Sequence, residues 1–224
     1  MAEQPCLPQV QACVIRVAKL NADGTPLVGA TSGYISDALV SVAFSPEYQD
    51  GAEITQDNAC GDRIIDYKAP DIFRWGNLTI QLATPDPYLG AMLSGGDAIV
   101  GSAADVDRIG YSAPPLGTLP ENPISIELWV KRPDKATGSL DAASPYARYA
   151  YPLVKNLRLG DYTHENGALL PQYTGQAFEN AAWGNGPWDD WLWASDRVFQ
   201  WFPVAASDVP EVACAPLAIA VQVP

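Results

Sequence analysis

The chain has 224 residues, 48% of them apolar and 17% charged, which excludes a disordered protein over most of its length and allows one large core. Acids outnumber bases 26 to 13, a formal charge of −13; a protein that grips nucleic acid by displacing counterions needs the opposite sign. Four scattered cysteines (Cys6, Cys13, Cys60, Cys214) and a single histidine, His164, do not supply the close pairs of a zinc site.

In chain order, Met1 to Pro5 lack the basic start and apolar run of a secretory leader, so synthesis in the cytoplasm with reduced thiols is expected. No apolar stretch reaches the length of a bilayer span, and no membrane role is expected. Residues 1–11, polar and carrying two prolines, read as an N-terminal arm, and 12–224 as a single β domain with long loops. Ala12 to Leu20 is a strand, and Asn21-Ala22-Asp23-Gly24 a turn, because Asp-Gly supplies the positive φ of a tight reversal. Ala38 to Phe44 is the second strand.

Ser45 to Asp62 is polar, carries Glu47, Asp50, Glu53, Asp57 and Asp62, and is too long for an ordinary hairpin turn. It reads as a loop that reaches a neighbouring molecule, with Pro46, Glu47, Tyr48, Asp50 and Ile54 as candidate contact residues, or else as a solvated flap. Strands resume over Arg63 to Lys68 and Asp71 to Thr84. Asp86 caps a short helix with Pro87 at its first position; Leu89, Met92 and Leu93 share one face, and Gly95 ends it. Asp97 to Pro123 is rich in Gly, Ala and Pro and weakly structured.

Ile124 to Lys131 alternates: Ile124, Ile126, Leu128 and Val130 on one face, Ser125, Glu127, Trp129 and Lys131 on the other. That period of two marks a half-buried strand. Asp134 to Pro145 is loose, a strand pair is expected near Arg148 to Leu159, and a final pair over Arg197 to Val204 and Ala215 to Val223. The fold class is therefore all-β with one short helix.

Catalytic signatures are weak. His164 sits in a polar turn between Asp161 and Glu165, with no Gly-x-Ser-x-Gly elbow. Ser94-Gly95-Gly96-Asp97 lacks the lysine and helix start of a phosphate loop. Neither Asp57, Asn58 and Asp62 nor Asp189 and Asp190 has the spacing of a Ca²⁺ loop. No catalytic residue, cofactor or metal is assigned, and the chain is read as a non-enzyme. Phe178 to Trp201 concentrates aromatic rings. Trp183, Trp188, Trp191 and Trp193 are candidate interface aromatics, with core packing or a sugar-stacking platform as the other uses of such rings.

Ala12-Cys13 opening the first strand, Tyr34-Ile35-Ser36-Asp37-Ala38-Leu39-Val40, Ser45-Pro46-Glu47-Tyr48, Gly51 to Ile54 and Asn58-Ala59-Cys60-Gly61-Asp62 form an ordered series. Leu78-Thr79-Ile80-Gln81-Leu82, Pro85-Asp86 and Leu93-Ser94-Gly95-Gly96 extend it. Over Ala12 to Gly96, and more loosely through Ile124 to Trp129 and Trp183-Gly184, this series resembles the major tail subunits, or tail-tube proteins, of long-tailed phages of actinobacteria. The resemblance implies a β-sandwich or partly closed barrel of the tail-tube type with one helix. It also implies hexameric rings that stack into a hollow tube in the virion tail, contacts to tape-measure, tail-terminator and distal-tail proteins, and passage of DNA. Glu47, Asp50 and Glu53 are then candidate lumen acids that repel phosphate. A carbohydrate-binding or host-recognition module of a phage tail, using the Trp-rich segment, is the alternative.

Overall fold

The computed structural model describes residues 8–101, 109–118, 123–134, 137–164, 166–190, 196–212, 214 and 216–220. Strands dominate. β1 (Val10–Lys19), β2 (Gly29–Ser36), β3 (Leu39–Gln49), β4 (Glu53–Asp57), β5 (Arg63–Lys68) and β6 (Ile72–Leu82) precede the one α-helix, α1 (Pro87–Ser94). Then follow β7 (Asp97–Val100), β8 (Ile109–Ser112), β9 (Ile124–Lys131), β10 (Tyr146–Leu159), β11 (Gln172–Phe178), β12 (Gln200–Val204) and β13 (Pro216–Ile219).

Nine strands form one antiparallel sheet in the order β13-β2-β1-β9-β10-β11-β6-β3, with β12 also paired to β10. β4–β5 and β7–β8 are separate two-stranded ribbons. The fourteen-residue β10 is a single strand where a pair was expected. Its first half, Tyr146 to Ala150, pairs with β12, and its second, Leu153 to Leu159, with β11. Pro152 falls in the gap between these two ladders, where a missing N–H breaks no pairing. The final strands do not pair with each other as expected: β12 joins β10 and β13 joins β2.

β1 and β3 lie five places apart in the sheet, about 24 Å if it were flat, yet they touch. The sheet therefore curls. It does not close into a barrel, and β13 and β3 stand at the ends of its strand order. All-β with one short helix holds; the strands form one curled sheet rather than two separate ones.

The concave face holds the main core: Ile15 and Val17 from β1, Leu78, Ile80 and Leu82 from β6, Ile124 and Ile126 from β9, Val154 from β10, and Leu89 and Leu93 from α1. The helix ends as its sequence dictates. Asp86 Oδ1 accepts from the amides of Tyr88 and Leu89 at 3.1 Å, and Gly95 turns left-handed at φ 75°. The Asn21 to Gly24 turn likewise carries its positive φ on Gly24.

β1 begins two residues before the expected boundary, and Gln9 accepts from the Tyr149 hydroxyl at 2.6 Å, so Gln9 to Gln11 belong to the body rather than to a free arm. β9 is not half-buried. Ile124 to Trp129 are all buried, Glu127 among them.

Candidate assembly surface

The stretch expected to be a loop is a β-arm. β3 runs on to Gln49 against β6, with Tyr48 opposite Phe73 and Gln49 opposite Ile72. The two chains then continue outward: Ala69 N–H donates to the Ala52 carbonyl at 2.9 Å, and Gly51 N–H to Asp71 Oδ1 at 2.9 Å. Gly51 is needed there, since a Cβ would fall 1.8 Å from the Ala69 carbonyl oxygen. β4 and β5 pair beyond this elbow, and the tip is closed by Asn58, whose Oδ1 accepts from the amides of Cys60 (2.9 Å) and Asp62 (2.8 Å).

Cross-strand partners share a face, and the two faces of the β4–β5 ribbon differ. One pairs Glu53 with Lys68 and Thr55 with Asp66, and the other Ile54 with Tyr67 and Gln56 with Ile65; Asp57 pairs with Arg63 beyond a register shift that leaves Ile64, 67% exposed, without a partner in the ladder. On the polar face Arg63 reaches Asp57 at 3.5 Å and Asp66 at 3.6 Å. Every residue of both strands is exposed. Ile54 and Tyr67 are each 55% exposed and Ile65 46%, so the described residues leave the apolar side open. At the root, the Tyr48 and Phe73 rings meet at a tilt of 53° with centroids 5.5 Å apart, both exposed.

Of the sequence-predicted contact residues, Pro46, Glu47 and Tyr48 lie in the outer part of β3, Asp50 at the elbow and Ile54 on the apolar face of β4. The three candidate lumen acids are exposed on the same arm. Glu47 accepts from Asn77 Nδ2 at 3.3 Å, and Glu53 faces Lys68 across the ribbon. Ile65, Tyr67 and Phe73 share this exposed surface and were not singled out in the sequence. The alternation of Ile65 and Tyr67 with Asp66 and Lys68 was the available signal.

The aromatic segment is placed differently. Trp183 is 1% exposed and packs with Ala150 and Phe199, which corrects its assignment as an interface aromatic: its ring is core. Trp188 is half-buried and lies over the Arg16 guanidinium, 3.8 Å from Cζ to ring centroid. Trp191 and Trp193 lie outside the described residues.

Beneath Trp188 is an ionic cluster that sequence reading also missed. Arg16 (β1) and Arg148 (β10) both bind the carboxylate of Glu127 (β9), and both reach Asp190, at 3.1 and 2.8 Å. The side chains of Arg16, Glu127 and Arg148 are at most 8% exposed; Asp190 is 40% exposed. Trp129 lies against both guanidiniums, at 5.0 and 5.3 Å. Burial alone would raise the Asp190 carboxyl, but the Arg148 hydrogen bond and the charges of Arg16 and Arg148 hold it below the usual carboxylate range. Burial alone would weaken the Arg148 cation, and the Glu127 charge overrides it, raising its pKa. Two acids and two bases cancel, so the cluster is a neutral lock that ties β1, β9 and β10 to the Trp-rich segment.

No protein-family model and no curated protein matches this chain.

Among the described residues, no three His, Cys, Asp or Glu side chains gather as a metal site. His164 is exposed, edge-on to Tyr162 at 5.4 Å. Among the described residues no helix is long and apolar enough to cross a membrane.

Proposed function

We propose that this protein is a structural subunit that assembles with copies of itself into stacked, hexameric rings, forming the tail tube of a phage, made in the host cytoplasm and ending in the virion tail. One observation carries the reading: the β4–β5 arm is amphipathic and its apolar face is uncovered. A lone two-stranded ribbon is marginal in water, and a row of Ile54, Ile65 and Tyr67 costs solvation unless another surface lies on it. From Glu47 to Cys60 the arm reaches at most about 40 Å at strand rise, against a radius of gyration of about 17 Å for a body of this length. It is therefore long enough to lie across a neighbouring copy.

The terminal strands β3 and β13 add a second route, because sheet ends of different copies can pair through the main chain. Arm and sheet ends are different surfaces, so contacts through them run head to tail, closing into rings or repeating along an axis. The acidic balance suits a conduit from which phosphate must not be held, with Glu47, Asp50 and Glu53 as lining acids. Tape-measure, tail-terminator and distal-tail proteins are the partners this reading brings from the resemblance. The sugar-binding alternative is less well supported, since the Trp183 ring is buried and the Trp188 ring is committed to Arg16.

Electron microscopy of the purified protein over a concentration series tests the reading. Rings or tubes with a central hole are expected. A species that stays monomeric at every concentration, or binds a glycan array through Trp188, would overturn it.

A further inference from the structure

Away from the arm, an apolar cavity of about 130 Å³ opens beside the start of α1. Its wall includes Pro87, Tyr111, Leu159, Leu169 and Tyr173 together with Asp86, whose carboxylate is engaged by the Tyr34 hydroxyl and the first amides of α1, and exposed Tyr162 and His164 stand at its rim. Among the described residues it is empty of any side chain of this molecule. An engineered cavity of about 150 Å³, left by removing a leucine side chain, is large enough for benzene. This cavity is thus the size of one branched aliphatic side chain.

The molecule also carries a side chain of that kind that no described residue covers. Leu116 is 103% exposed, more open than in an extended chain. Its backbone lies in a turn. Pro114 and Pro115 precede it, Thr118 N–H and Oγ1 both donate to the Pro115 carbonyl, at 3.3 and 2.6 Å, and Gly117 has φ 80°. Glycine at positive φ in the third place is the mark of a type II turn, which puts Leu116 at the second corner with its backbone fixed. An apolar group presented this way loses little conformational freedom on docking.

We infer that Leu116 of one copy seats in the cavity beside α1 of a second copy. Leu116 is not itself part of the cavity wall, although Tyr111 of that wall lies only five residues before it; between copies such a contact runs head to tail and can close a ring or propagate. A single leucine covers far less than the roughly 800 Å² per partner of a stable interface. The contact therefore rests on the self-assembly reading above, acting as a second attachment point that gains from the high effective concentration created by the arm. Leu116→Asp is expected to raise the concentration for half-assembly about 10–100-fold, and Leu116→Met to restore it.

The decisive experiment uses two full-length preparations, each with Cys6, Cys13, Cys60 and Cys214 replaced by serine and tagged to differ in size. One carries Leu116→Cys, the other Tyr162→Cys at the exposed rim; they are mixed with a short bis-maleimide while sedimentation reports assembly. Cross-linked pairs of unequal size, absent from the parent mixtures, are expected. Assembly without such pairs would overturn this contact and leave the tube reading standing. Pairs without rings or tubes would support the contact and count against the tube. A double variant, Leu116→Cys with Tyr162→Cys, that links only to itself at high dilution would show the knob in its own pocket and overturn the inference. So would monomers that never cross-link.

Discussion

The ionic cluster and the β-arm invert the usual arrangement in opposite directions. Around Glu127, charges sit where a core of aliphatic side chains is the norm; along β4 and β5, Ile54, Ile65 and Tyr67 sit where water is. The first inversion is resolved within the chain, since each charge meets opposite charges from other strands. The second finds no cover among the described residues. What a chain cannot satisfy by itself points to what it meets, and here that is the arm rather than the cluster.

Substitutions separate the two regions most clearly by their effect on the stability of the unassembled chain. Glu127→Gln leaves two guanidiniums buried against one partial partner and is expected to cost about 3–5 kcal/mol, read from the midpoint of chemical denaturation. A loss under about 1 kcal/mol would mean that the cluster is solvated in solution.

Asp190→Asn should cost less, about 1–2 kcal/mol, because Asp190 is partly solvated and its interactions are screened. This effect has a pH signature. The folded-state pKa of Asp190 lies below its unfolded value of about 3.9, so its contribution is full above that value and fades as pH falls through the folded pKa. Denaturation curves of wild type and Asp190→Asn should differ near neutrality and converge below about pH 4. A constant gap across that range would assign the loss to packing instead of charge.

The smallest effect on the unassembled chain is expected for Ile54→Asp with Ile65→Asp. Each side chain is exposed, so stability should change within about 0.5 kcal/mol per site. Assembly should nevertheless be lost in sedimentation velocity. Stability loss together with unchanged assembly would reverse the comparison and make the arm part of the body.

The strand at Ile124, the cap at Asp86 and the turn at Gly24 were legible because their causes lie within a few residues. Glu127 was not. Alternation placed it on a solvent face, and its buried partners Arg16 and Arg148 lie 111 and 21 residues away. The arm was half legible: the length and acidity of Ser45 to Asp62 pointed to a segment reaching outward. Its strand character was hidden because β4 offers a single large apolar residue, Ile54. That residue gains meaning only when the Asn58 turn folds it opposite Tyr67. Trp183 and Trp188 looked alike in sequence, and only the chain path separates a core ring from one stacked on an arginine.

Hydrogen–deuterium exchange of residues 53–68 across a concentration series, read beside the sedimentation coefficient, tests most directly whether a second copy covers the arm. In dilute monomer the ribbon amides should exchange rapidly, as expected of two strands without a third layer, and their protection should rise in step with assembly. Equal, fast exchange in monomer and assembled protein would contradict the account.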